Sequence, residues 1–218
     1  MTALVRVAAI DDDTLIRDGL ARLVPGLDVV GAFADVPAFL AAGPQVEVVL
    51  LDLTLGGAAA RPGPRGPDAV AAVVRAGYRV LVYTGERRRA VLVACLHAGA
   101  SGIVHKSEPL DALGVAAAEV AAGRVVITQA LTGLAELAGR RGALPSLSPR
   151  ERQVLAGRAR GESFRSIAAR LFVTERTAAG YMDGVKAKFA AYLRDHSPAD
   201  LERALGLEPL DITDRPPA

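Results

Sequence analysis

Four short hydrophobic runs in the first half of the chain each end in a polar residue of a distinct chemical kind. Val5–Ile10 leads into Asp11 and Asp12, Val46–Leu51 into Asp52, Val80–Tyr83 into Thr84, and Ile103–Val104 into His105 and Lys106. The runs are continuously apolar, without alternation, as in strands covered on both faces. A further run covers 28–32. Segments of helical spacing separate them at 14–23, 35–42, 67–76, 87–98 and 109–122, with Pro25-Gly26, Gly43-Pro44, Gly77 and Gly99 as punctuation. This alternation predicts a five-stranded, parallel, doubly wound α/β sheet. Parallel strands place their carboxyl ends on one edge, where such sheets bind ligands.

That edge would gather three carboxylates, a hydroxyl and an amine. Phosphoryl transfer to a carboxylate needs charge neutralised on the transferred oxygens, and Mg²⁺ supplies this through hard oxygen ligands. Asp11 and Asp12 suit metal binding, and Asp52 suits both ligand and nucleophile. Thr84 can hydrogen-bond a phosphoryl group and Lys106 can pair with it. Asp12 or Asp13 can also cap the helix that follows.

From Thr128 to Arg141 the chain is Ala/Leu-rich and helical in pattern, and is read as part of a connector over 124–145. Beyond it strand signals stop. Ser148-Pro149 with Glu151 reads as a capping box opening a helix that ends near Gly161. Ser163 to Leu171 reads as a second helix, Glu175 to about Phe189 as a third capped by Thr174, and Pro198 to Leu205 as a fourth. Residues 146–189 hold nine Lys/Arg against four Asp/Glu, whereas 1–145 are balanced at fourteen each. This asymmetry suggests a segment facing a polyanion.

Cys95 is the single cysteine, which excludes an internal disulfide, and it reads as a small buried hydrophobe. No signal peptide or membrane span is expected, so the reading is a cytoplasmic protein without membrane contact. His97, His105 and His196 lack metal-ligand spacing. No glycine pattern indicates nucleotide binding.

The segments Ile10 to Leu20, Val49 to Leu53, Val82 to Gly85 and Ala98 to Ser107 resemble the receiver domain of bacterial two-component response regulators. Residues 147–189 resemble the LuxR-type helix-turn-helix domain of the NarL/FixJ group. The runs that carry this are Leu147 to Leu155, Gly161 to Ser163 and Ile167 to Thr177. The resemblance implies a flavodoxin-like receiver over 1–123, the connector, an all-α DNA-binding domain over 146–210 and a flexible tail over 211–218. It implies phosphorylation of Asp52 by a histidine kinase and a Thr84 that moves toward the phosphoryl group, reshaping the fourth helix and fifth strand. It also implies a homodimer, promoter DNA as partner and control of transcription, with phosphoryl acceptance in place of enzymatic turnover.

On that alignment the DNA-facing set is Arg165, Thr174, Arg176, Thr177, Ala179, Gly180, Tyr181, Asp183, Lys186 and Lys188, with Arg165, Arg176, Lys186 and Lys188 on the backbone. The chain departs from the family in three places. Ile103 stands where an aromatic switch residue is common. The loop after Asp52 is longer by about half a dozen residues and rich in Gly and Pro. The groove-facing positions Ala179, Gly180 and Asp183 offer little to base edges, and Gly180 and Gly184 each cost a helix roughly 1 kcal/mol against alanine. The alternative reading is therefore a phosphorylation-independent or atypical regulator whose third helix binds a protein partner, or binds DNA only weakly.

Overall fold

The computed structural model describes residues 4–56, 63–127 and 147–195. The chain divides into two compact units, residues 1–128 and 129–218. The expected fourth helix of the second unit, the tail over 211–218 and most of the connector lie outside the described residues.

In the first unit the strands are β1 (Val5–Ile10), β2 (Leu27–Phe33), β3 (Val48–Leu51), β4 (Val80–Thr84) and β5 (Gly102–His105). Helices α1 (Thr14–Leu23), α2 (Val36–Ala42), α3 (Gly66–Arg75), α4 (Arg89–His97) and α5 (Leu110–Ala121) alternate with them. All pairings are parallel, in the order β2-β1-β3-β4-β5. The five strands and five helices are those expected from the apolar runs. Every residue of β3 and β4 is buried, so both faces of these strands are covered. The edge strand β2 instead alternates in burial, because only one of its faces meets the core.

A sixth strand, β6 (Val126–Ile127), extends the sheet beside β5. The connector was expected from residue 124, but 126–127 remain in the sheet. Gly102 permits this pairing, since a Cβ there would lie 2.8 Å from the Val126 Cβ. Cys95 is fully buried, and burial pushes its thiol up to about 12, so it behaves as the apolar residue expected.

The second unit contains α6 (Pro149–Ala159), α7 (Phe164–Leu171) and α8 (Glu175–Asp195). Ser148 and Glu151 close the anticipated capping box: Ser148 Oγ accepts from the Glu151 amide, and the Glu151 carboxylate accepts from the Ser148 amide. Ser163 caps α7. Helix α8 runs six residues past the expected end at Phe189. Its buried face continues through Ala178, Met182, Val185, Phe189 and Tyr192, a spacing of alternating fours and threes that keeps one stripe on the core.

Glu151 is 7% exposed, and its carboxylate also accepts from Lys188 Nζ at 2.8 Å. Burial alone would raise its pKa, but the Lys188 ammonium and the Ser148 donors hold it below the usual carboxylate value. Gly184 makes room for this pair: a Cβ there would lie 2.6 Å from Glu151 Oε1. The glycine that looked like a helix defect is thus required by the α6–α8 contact, whereas a Cβ on Gly180 meets nothing within 4 Å. Gly180→Ala is therefore expected to stabilise the second unit by about 1 kcal/mol. Gly184→Ala should destabilise it by about 1–2 kcal/mol, because it displaces a charge-assisted hydrogen bond. Denaturant unfolding of the two variants checks this, and stabilisation by both would contradict the packing argument.

Candidate phosphoacceptor pocket and nucleic-acid interface

Strand register assembles the pocket. Ile10 pairs with Leu51, and the Asp52 amide donates to the Ile10 carbonyl at 2.9 Å, so Asp11 and Asp52 leave the sheet side by side. On the other flank Thr84 pairs with His105, and the Lys106 amide donates to the Thr84 carbonyl at 2.8 Å. Asp11 and Asp52 are 3% and 5% exposed, and Thr84 is fully buried.

Lys106 Nζ lies 2.8 Å from Asp11 Oδ2 and 2.8 Å from Asp52 Oδ2. The remaining oxygens are held by backbone. Asp11 Oδ1 accepts from the Asp13 amide at 2.9 Å, and Asp52 Oδ1 from the Leu53 amide at 2.7 Å. The Gly56 amide donates to Asp12 Oδ2 at 3.0 Å. Asp13 accepts from the Leu15 amide and is the cap of α1, leaving Asp12 to the pocket.

Burial raises the Asp11 pKa despite the ammonium beside it. Burial would lower that of Lys106, but hydrogen bonds to Asp11 and Asp52 outweigh it and hold the amine above its ordinary value. Three carboxylates gather here and Lys106 bridges two of them, a set of hard oxygen donors that would suit a divalent cation. Asp11, Asp12 and Asp52 each offer an oxygen, all within 4.8 Å of one another. Ligands of one Mg²⁺ lie at most about 4.2 Å apart, given metal–oxygen distances near 2.1 Å. The set therefore fits Mg²⁺ after a small closure, or with one carboxylate binding through water.

Thr84 Oγ accepts from the Glu86 amide at 3.2 Å. The Glu86 carboxylate accepts from the Arg87 and Arg88 amides and from the Arg88 guanidinium, and Arg88 holds its pKa below the usual range. His105 bridges Gly85 O at 3.1 Å and Ser107 Oγ at 2.6 Å. Ile103 is fully buried, and Tyr83 is buried with Lys106 Nζ 5.9 Å from its ring centre. Absent from the sequence reading are the roles of Gly56 and Glu86 and the mutual contact of Glu151, Gly184 and Lys188. All act through contacts between residues distant in the chain or through backbone amides, which no residue pattern marks.

In the second unit, α7 and α8 form the helix-turn-helix. Phe172 ends α7 in the left-handed region at φ 55°, and Thr174 Oγ accepts from the Thr177 amide at 3.1 Å at the start of α8. Ile167, Ala168 and Leu171 are buried as expected, and Val173 is half-buried. Arg165, Thr174, Arg176, Thr177, Gly180 and Asp183 are exposed, while Ala179, Tyr181, Lys186 and Lys188 are half-buried. Arg165 pairs with Glu175 at 3.2 Å and Lys186 with Asp183 at 3.3 Å, both at the surface, where such pairs are weak and exchangeable. Lys188 is placed differently from the other candidates, with its amine on the buried Glu151.

Residues 145–195 match the GerE family, bacterial regulatory proteins of the luxR family. The response regulator RamR of Streptomyces coelicolor is 31% identical over 186 residues, spanning 84% of this chain and 88% of RamR. The chain belongs to the two-component response regulators of the NarL/FixJ type. The nitrate/nitrite response regulator NarL of Escherichia coli is likewise 31% identical, over 78% of this chain and 82% of NarL. RcsB of Salmonella enterica serovar Typhimurium, solved bound to a promoter, shares the fold, with TM-score 0.52 and 24% identity over 92% of this chain and 97% of RcsB. This response regulator thus carries a receiver and a LuxR-type DNA-binding domain, which implies transcription control. No described helix is long and apolar enough to cross a membrane.

Titration with Mg²⁺ should raise the melting temperature of the receiver by a few degrees near a hundredfold excess over Kd. The rise should be largely lost in Asp11→Asn and Asp12→Asn, and an equal rise in both variants would place the ion elsewhere.

Proposed function

We propose that Asp52 accepts a phosphoryl group from a histidine kinase in the cytoplasm, and that this modification controls promoter binding by the C-terminal domain. The observation that carries the reading is the Lys106 ammonium, hydrogen-bonded at once to Asp11 and Asp52. It offers a cation to the oxygens of a phosphoryl group on Asp52, and it already bridges two of the three carboxylates proposed to bind metal.

In the proposed step an Asp52 oxygen attacks phosphorus, and an acyl phosphate forms. The bond from phosphorus to the donor imidazole nitrogen breaks, with its electron pair leaving on the imidazole. Mg²⁺ held by Asp11, Asp12 and Asp52 would supply charge neutralisation for the transferred oxygens. Lys106 shifts its hydrogen bond from the Asp52 carboxylate to a phosphoryl oxygen. Thr84 gives up its contact with the Glu86 amide and donates its hydroxyl to another phosphoryl oxygen. That motion drags the Gly85–Arg88 segment toward Asp52, and it shifts the population toward a form with a different α4–β5 surface.

The altered receiver is proposed to dimerise and to present two helix-turn-helix domains to promoter DNA. Arg165, Arg176 and Lys186 would meet phosphates, and the positive N-terminus of α8, capped by Thr174, adds to this. Thr177, Tyr181 and Arg176 are the side chains with hydrogen-bonding capacity near base edges. Ala179 and Gly180 have none, and Asp183 can only accept, from a base amine such as that of cytosine. That arrangement also supports the second reading, in which the output is weak or shape-based DNA binding, or a protein contact. Salt dependence separates these, since binding to phosphates falls steeply with salt.

Incubation with acetyl phosphate and Mg²⁺ should add one phosphoryl group to the wild-type chain and none to Asp52→Asn. Lys106→Met should cut the rate by roughly 10²-fold or more, the scale for losing one preorganised charge-stabilising group. Intact mass spectrometry reads all three. No gain in the wild type, or an equal gain in Asp52→Asn, would remove Asp52 from this role.

A further inference from the structure

Arg65, at the start of α3, reaches back to Gly56 beside the acidic pocket. Gly56 has φ 134°, a region that L side chains rarely adopt, and its amide donates to Asp12 Oδ2 at 3.0 Å. A Cβ on Gly56 would lie 2.8 Å from Arg65 Cζ, 2.9 Å from Nη2 and 3.1 Å from Nη1. All three nearest atoms belong to the guanidinium, and its central carbon is the nearest. The guanidinium therefore lies flat over Gly56, with its face against the glycine, and its N–H edge meets no acceptor among the described residues.

The backbone of Arg65 is fixed at the start of α3, where its carbonyl accepts from the Asp68 and Ala69 amides at 3.1 and 3.2 Å. Its side chain caps nothing and is exposed. Among the described residues no carboxylate pairs with it. This is a planar cation, held one residue from a proposed metal ligand, with its hydrogen-bonding fork unused.

Resting on the reading of Asp52 as phosphoacceptor, we propose that Arg65 is a donor-recognition residue: its guanidinium binds the phosphoryl oxygens of the incoming donor before transfer to Asp52. A phosphoryl donor approaching this edge meets three carboxylates, and Lys106 lies inside the cluster, engaged with two of them. Arg65 supplies an outer cation whose two terminal nitrogens match a phosphoryl group's oxygens.

The test is the rate of phosphoryl gain of the full chain against acetyl phosphate concentration at fixed Mg²⁺, for wild type, Arg65→Gln and Arg65→Lys. Arg65→Gln should raise the half-saturating concentration about fivefold, the upper range for one exposed charge contact, while the limiting rate changes less than twofold. The difference should shrink as ionic strength rises, and Arg65→Lys should fall between the other two. Mg²⁺ affinity, measured by direct binding, should be unchanged or tighter in Arg65→Gln, since a nearby positive charge is gone. Weaker Mg²⁺ binding with a lower limiting rate would overturn the proposal, because it would mean that Arg65 only orders Gly56 and Asp12. An unchanged concentration dependence, with the wild type still phosphorylated, would overturn the assignment of Arg65 alone. A wild type that gains no phosphoryl group would overturn the phosphoacceptor reading and this proposal with it.

Discussion

The bonds from Lys106 to Asp11 and Asp52 set the terms for the receiver. Two buried carboxylates at adjacent strand ends repel each other, and burial adds a desolvation cost for each. One ammonium at 2.8 Å from both, with backbone amides on the other oxygens, makes the arrangement tolerable. It exists only if β1, β3, β4 and β5 keep their register, because a slip of one residue would turn these side chains to the other face. The gathered carboxylate oxygens favour a cation, and the same ammonium can serve a phosphoryl group. A single electrostatic constraint thus links the sheet, the metal preference and the proposed chemistry.

The second unit solves a similar problem on a smaller scale. Glu151 is buried between helices, and it is accommodated because Ser148 and Lys188 donate to it and Gly184 stands aside. This pair fixes α8 against α6 and so sets how the N-terminal turns of α8 project. Removing Lys188 would leave the buried Glu151 carboxylate without its cation, a larger penalty than the pair itself is worth. Lys188 consequently belongs to the scaffold that presents the helix-turn-helix surface, whatever further contact its exposed part makes.

Much of the receiver was legible in the chain because its signals are local. Continuous apolar runs mark doubly covered strands, and the polar residue after each run marks the functional edge. Asp11, Asp52, Thr84 and Lys106 are therefore expected at one edge from the sequence alone. The starts of α6 and α8 were legible for the same reason, since Ser148 with Glu151 and Thr174 are local capping patterns. What stayed hidden depends on partners far apart in the chain. Gly184 looks like a helix breaker until Glu151 is set against it. β6 exists because Gly102 leaves space for Val126. The contact of Arg65 with Gly56 follows from backbone geometry in a loop with no periodicity to read. Helix α8 is longer than expected because its Ala-rich continuation carries a weak stripe, in which Tyr192 follows Phe189 on the buried face.

The central claim is that the chemical state of Asp52 governs where the C-terminal domain binds DNA. Genome-wide mapping of bound DNA in cells carrying the wild type or Asp52→Asn, at matched protein levels, tests this most directly. Discrete wild-type sites are expected under activating conditions, and they should fade in Asp52→Asn. Identical site occupancy in the two strains, or no enrichment of any site in the wild type, would contradict it.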